Sequence, residues 1–88
     1  MHNLSPLRRQ IKEIDESLIT LMGERMQLAH KLGKIKKETG LPIKNVQIEK
    51  KLFSHWRSVA KKNKLSPEFI EKLWTLILKE SINTQKNL

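Results

Sequence analysis

The stretch from Ser5 to Pro42 reads SPLRRQIKEIDESLITLMGERMQLAHKLGKIKKETGLP, and its periodicity decides the fold. Ser5-Pro6 has the form of an N-cap followed by proline at the first helical position. Gly40-Leu41-Pro42 has the form of a C-terminal stop with glycine in the left-handed conformation. Between these marks the apolar residues keep a heptad: Leu4, Ile11, Leu18, Arg25 and Leu32 form one row, and Leu7, Ile14, Leu21, Leu28 and Ile35 form the other. Arg25 is the one position in the two rows that is not Leu or Ile. The pattern predicts a single helix over about 5–39, about 52 Å long at 1.5 Å per residue.

Working outward, Asn45 is placed to cap a second helix over about 45–63, with Val46, Phe53, Trp56 and Ala60 on its apolar stripe. Ser66-Pro67-Glu68 opens a third over about 66–85, carrying Ile70, Leu73, Trp74, Ile77 and Leu78. No strand-like alternation, internal repeat or low-complexity segment interrupts them. The expected architecture is all-α, one domain over 1–88, with three helices and a very long first one.

That length has a consequence. A compact chain of 88 residues has a diameter of roughly 30 Å, so the first helix is too long for its own chain to cover. Its apolar stripe runs nearly from end to end, and leaving half of it wet would expose a continuous hydrophobic seam. The expectation is an intertwined helical homodimer, with first helices packed along one another and the shorter helices folded around them.

Composition narrows the function. Eighteen Lys+Arg against nine Asp+Glu give a net charge of +9, which favours an anionic partner. Eight basic residues face five acidic ones in residues 1–43, and ten face four in residues 44–88, so no basic tail stands apart. The absence of cysteine excludes a disulfide scaffold, a thiolate nucleophile and Cys-ligated metal sites. His2, His30 and His55 have no ligand spacing, so no metal is expected. No apolar run approaches the roughly 20 residues of a membrane span, and Met-His-Asn-Leu-Ser-Pro lacks the apolar core of a signal peptide. A cytoplasmic chain that engages no membrane is the expectation.

Polar residues then stand where each helix asks for apolar ones. Arg25 occupies a heptad core position, where an unpaired guanidinium calls for an anion. Lys36, three turns on and near the same face, lies about 16 Å away along the axis. Glu49 falls in the stripe of Val46, Phe53 and Trp56, with Asn45 one turn earlier. Ser81 and Gln85 continue the row of Ile70, Trp74 and Ile77. Either these are structural devices, such as a register-setting polar residue or a Glu49–Arg25 ion pair, or three helices each supply polar groups to one small-ligand site. A register device needs one such residue, and this chain has about six. Arginine is scarce, four against fourteen lysines, and Arg at a core position suits a carboxylate that it can grip with two N–H groups. Arg8 lies about 25 Å before Arg25, so it can meet the same small molecule only from a second, antiparallel chain.

With these residues in view, the chain resembles the all-helical chorismate mutases from Leu7 to Gln85. The resemblance rests on Leu7-Arg8 with Ile11 and Ile14-Asp15, Glu24-Arg25 with Leu28-Ala29, Gly33-Lys34-Ile35-Lys36, Leu41-Pro42-Ile43, Glu49, and Ile77 with Ser81 and Gln85. It implies an isomerase of aromatic amino acid biosynthesis that converts chorismate to prephenate by an intramolecular Claisen rearrangement, with no covalent catalysis and no cofactor. By position it implies that Arg25, with Arg8 from the other subunit, binds the two carboxylates. Lys36 and Gln85 would then hydrogen-bond the ether oxygen, Glu49 would hold the ring hydroxyl with Asn45 nearby, and Ser81 would contact a carboxylate. The chain departs from the family in two places. It has Asn45 where microbial members often carry Asp, and Ile48 where they commonly carry Arg before the active-site Glu. Losing that cation should weaken dianion binding and raise KM unless Lys44, Lys51 or another residue substitutes.

Two other readings remain. Isochorismate pyruvate lyases share this fold and a similar cationic site, and Ile48 makes an altered substrate conceivable. A basic helical dimer that binds nucleic acid would account for Lys34, Lys36 and Lys37 and for Lys61, Lys62 and Lys64, but the basic residues are scattered over three helices and no recognition motif accompanies them.

Overall fold

A computed structural model describes residues 3–87, so His2 lies outside the described residues. α1 runs from Ser5 to Thr39, α2 from Val46 to Lys62 and α3 from Pro67 to Lys86, as the sequence pattern predicts to within a residue or two.

Local chemistry sets most of the boundaries. The Asn45 side chain accepts from the Ile48 N–H at 3.1 Å and so caps α2. Ser66 accepts from the Phe69 N–H at 3.3 Å and caps α3, with Pro67 as the first helical residue. The start of α1 corrects the sequence expectation. Ser5 is already helical, Leu4 in the cap position has helical dihedrals (φ −85°, ψ −9°) and no capping side chain, and Asn3 Oδ1 accepts from the Ser5 N–H at 3.0 Å. The acceptor that Ser5 was expected to supply comes from two residues earlier.

α1 ends at Gly40, whose φ of 72° is the left-handed conformation that glycine adopts without strain. α2 ends with the same left-handed turn built on a lysine. Lys64 has φ 59°, its N–H bonds to the Lys61 carbonyl at 3.1 Å, and the Leu65 N–H bonds back to the Ala60 carbonyl at 2.9 Å. A β-carbon in this conformation costs roughly 1–2 kcal/mol, so the geometry of the α2–α3 corner is enforced by Ser66-Pro67 and by packing.

α3 lies in the middle, against both α1 and α2. Ile70 and Ile77 of α3 are buried along with Ala29 of α1 and Ala60 of α2. Aromatic rings join α2 to α3: Trp56 and Trp74 have centroids 5.5 Å apart, and Phe53 meets Trp56 edge-on at 4.9 Å. The Arg57–Glu71 pair between the same helices, at 3.6 Å and well exposed, adds little.

The chain is elongated, 62 × 25 × 15 Å, with a radius of gyration of 16.6 Å, where a compact chain of this size would have about 12 Å. α3 reaches only the second half of α1. From Ser5 to Leu21 every residue of α1 is exposed.

Candidate active site

A cavity of about 450 Å³ opens where the second half of α1, the α1–α2 connection, the start of α2 and the end of α3 come together. That volume suits a small organic ligand. Six polar side chains line it: Arg25, Lys36, Asn45, Glu49, Ser81 and Gln85. All six were singled out in the sequence as polar intrusions on apolar faces. Arg8, the seventh candidate, does not line it and stays exposed on the uncovered half of α1.

The helices bring these residues together by register. Ala29 and Gly33 are the buried residues of α1, and they let α3 approach closely. Arg25 and Lys36 flank that contact, one turn before and about one turn after, so both reach the seam between the helices. On α3, Ile77, Ser81 and Gln85 follow one another at four-residue steps and are all buried. The long side chains of Arg25 and Lys36 converge on this row, Arg25 reaching Ser81 and Lys36 reaching Gln85.

Arg25 donates from a guanidinium N–H to the Ser81 hydroxyl oxygen, and that hydroxyl donates to the Ile77 carbonyl at 2.9 Å and lies 3.8 Å from the Met26 sulfur. Partial burial lowers the Arg25 pKa from its usual value by stripping water from the charged form. Among the described residues no carboxylate pairs with it, so the structural alternative of a Glu49–Arg25 ion pair is not what forms. Lys36 is held in the same way by neutral groups: its Nζ donates to the Ile43 carbonyl at 2.7 Å and to Gln85 Oε1 at 2.9 Å. Both cations line the cavity held by dipoles, and among the described residues neither is bonded to a carboxylate, which is the electrostatic condition for receiving an anion.

The remaining walls are apolar. Leu28 and Leu32 come from α1, Leu41, Pro42 and Ile43 from the connection, Ile48 and Leu52 from α2, and Leu78 and Ile82 from α3. Ile48 therefore does face the cavity, and Lys44 and Lys51 do not replace a cation there, since both are exposed and neither lines it. The Ile43 carbonyl was not foreseen, because a backbone acceptor has no signature in the sequence. The nearest signal was Leu41-Pro42, which marks a connection held in one conformation. Among the described residues, no group of three or more His, Cys, Asp or Glu is placed to hold a metal ion, and no helix is long and apolar enough to cross a membrane.

Fold and site together define a three-helix protein that presents two unneutralised cations and several hydrogen-bonding groups to a small anion. Residues 7–86 match the family model "Chorismate mutase type II", and the chain belongs to that family. It is 34% identical over 87 residues to the bifunctional chorismate mutase/prephenate dehydratase of Buchnera aphidicola from Acyrthosiphon pisum, covering 99% of this chain and 23% of that protein. It is 33% identical over 85 residues to the bifunctional chorismate mutase/prephenate dehydratase of Escherichia coli, covering 97% of this chain and 22% of that one. The chain thus spans about a quarter of the length of these bifunctional relatives. The chorismate mutase of Methanocaldococcus jannaschii is 27% identical over 86 residues, which is 98% of this chain and 87% of that one.

Proposed function

We propose that this chain is a chorismate mutase that works as a homodimer with sites shared between subunits. The observation that carries the reading is the convergence of Arg25, Lys36, Glu49, Ser81 and Gln85 on one apolar-walled cavity, with neither cation bonded to a carboxylate among the described residues.

Rearrangement of chorismate to prephenate breaks one C–O bond of an enolpyruvyl ether and forms one C–C bond within the same molecule. No proton is transferred and no nucleophile is needed. The protein must select the compact conformer and stabilise the negative charge that grows on the ether oxygen as its bond breaks. Arg25 grips one carboxylate, and the leucine and isoleucine walls favour a folded substrate over an extended, hydrated one. Lys36 has given two of its three N–H groups to Ile43 and Gln85, leaving one for the ether oxygen. Gln85 accepts through Oε1, leaving its NH2 to donate beside it. Glu49 accepts from the ring hydroxyl, with Asn45 next to it. Ser81 already accepts from Arg25 and donates to Ile77. It reaches a carboxylate only by turning its O–H away from that carbonyl, so its steady task is to hold Arg25.

The second carboxylate calls for a second cation. The uncovered half of α1 supplies Arg8 if two chains pack their first helices antiparallel, and the exposed heptad seam of that half supports such packing. The test is a chorismate-disappearance assay with a prephenate readout on the purified protein, beside light scattering. Prephenate formation by a dimer is expected. Pyruvate release in place of prephenate would overturn the activity, and a monomer at micromolar concentration would overturn the shared site.

A further inference from the structure

Lys36 is tied to the α1–α2 connection at both of its ends. Its backbone carbonyl accepts from the Gly40 N–H and from the Leu41 N–H at 2.9 Å, closing the helix. Its side chain then runs forward, and Nζ donates to the Ile43 carbonyl at 2.7 Å. The stretch from Lys36 to Ile43 therefore forms a closed strap whose two clasps belong to one lysine. Across the cavity, Gln85 Oε1 takes a second ammonium N–H at 2.9 Å. An ammonium has three N–H groups in tetrahedral array, so fixing two of them fixes the direction of the third.

We infer that the Gly40–Ile43 turn is a positioning element for the Lys36 ammonium, and that Gly40 and Pro42 act on the reaction through Lys36. This rests on the reading of Lys36 as donor to the reacting oxygen. A lysine on a flexible four-carbon stem would otherwise lose much of its advantage by searching among rotamers. The turn removes that search before substrate arrives. Gly40 is the residue that permits it, because its φ of 72° lies where most side chains are strained. A β-carbon at Gly40 would meet nothing within 4 Å, so a substitution there acts through the backbone conformation and not through a clash. Pro42 restricts both its own φ and the conformation of Leu41 before it. For holding Lys36 the identity of the Ile43 side chain, which lines the cavity, is not what counts, since the carbonyl is the acceptor.

The experiment is a comparison of Gly40→Val, Gly40→Asn and Pro42→Gly, each in the wild-type and Lys36→Ala backgrounds, with chorismate as substrate. Asparagine tolerates the left-handed conformation and valine does not. Gly40→Val and Pro42→Gly should each lower kcat about tenfold with KM changed less than about twofold. Gly40→Asn should stay close to wild type. In the Lys36→Ala background none of the three should lower kcat further, because the element acts through a group that is gone. A second readout needs no turnover: in the ligand-free protein the Lys36 ammonium should give a slowly exchanging nitrogen–proton NMR signal that Gly40→Asn retains and Pro42→Gly loses. Equal losses in the two backgrounds, or an ammonium signal indifferent to Pro42→Gly, would overturn the inference. A folded wild type that ignores chorismate would overturn the proposed activity alone, and the ammonium signal would still decide the role of the turn.

Discussion

The two halves of α1 carry the same heptad and meet different surroundings. From Met22 to Lys36 the helix packs on α3, burying Ala29 and Gly33 and half-burying Met22, Arg25, Met26 and Lys36. From Ser5 to Leu21 no described residue covers it, and Leu7, Ile11, Ile14, Leu18 and Leu21 are each 57–59% exposed. The heptad rows themselves stay exposed in both halves, Leu28, Leu32 and Ile35 at 64%, 48% and 54%, because α3 packs on the flank of Ala29 and Gly33. What changes is reach: the 20 residues of α3 span about 30 Å, against about 52 Å for α1. The packed half holds the cavity that Arg25 and Lys36 line, and the bare half carries Arg8, which does not line it. In the proposed dimer, a second copy laid antiparallel would cover the bare half and bring its Arg8 to the site of the packed half.

The sharpest attack on that contrast is to remove the central donor of the packed half. Lys36→Ala should lower kcat/KM roughly 10²–10³-fold, the range for losing one preorganised donor to a developing oxyanion. An undiminished kcat/KM would show that the two cations of the packed half are not equivalent to a site. A smaller loss, carried mainly by KM, is expected for Arg8→Ala, although Arg8 touches nothing in the cavity of its own chain. Mixing Arg8→Ala with Arg25→Ala subunits turns this into a test of sharing. Half of the randomly reassembled dimers are hybrids, and each hybrid has one intact and one doubly damaged site, so about a quarter of the wild-type activity should return. Two weakly active parents whose mixture stays weak would place Arg8 outside the site. Ile14→Asp aims at the seam instead. It should shift the protein toward monomer by light scattering, make Tm depend more steeply on concentration, and cost no more activity than loss of Arg8 explains.

How far the sequence carried this contrast depends on what kind of atom was involved. The helices were legible because their ends carry side-chain marks, Gly40 for α1, Asn45 for α2 and Ser66-Pro67 for α3. At the start of α1 two marks compete: Asn3 and Ser5 can both supply a first acceptor, and Asn3 does so. The corner at Lys64 has left-handed backbone without a glycine to announce it. The site residues were legible because a charge or amide on an apolar stripe is conspicuous at helical spacing. Their partners were not. That Lys36 leans on the Ile43 carbonyl, and Arg25 on Ser81 in place of Glu49, follows from which atoms the folded backbone brings within bonding distance. No residue identity records that. The cover on the bare half was legible only as a need, since a seam states that something apolar belongs there and the helix length states that the chain itself cannot supply it.

The smallest expected effect tests how much of α1 a second copy covers. Gly23 stands at the boundary of the two halves, in mid-helix, and a β-carbon added there would meet nothing within 4 Å in the single chain. Relative to alanine, an interior helical glycine costs roughly 0.5–1 kcal/mol. In the heptad defined by Arg25 and Leu28, Gly23 falls on the side of the helix opposite the apolar rows, about two residues before the core position. If a partner lies only along the seam, this face stays in water and Gly23→Ala should stabilise the protein by up to about 1 kcal/mol, read as a small rise in Tm at fixed concentration. If instead the shorter helices of a second copy wrap the outer face as well, the added methyl meets packed atoms and Tm falls. The sign of one small change thus separates a dimer joined along a seam from one whose chains are wound around each other, a distinction that the loss of Arg8 or Lys36 does not touch.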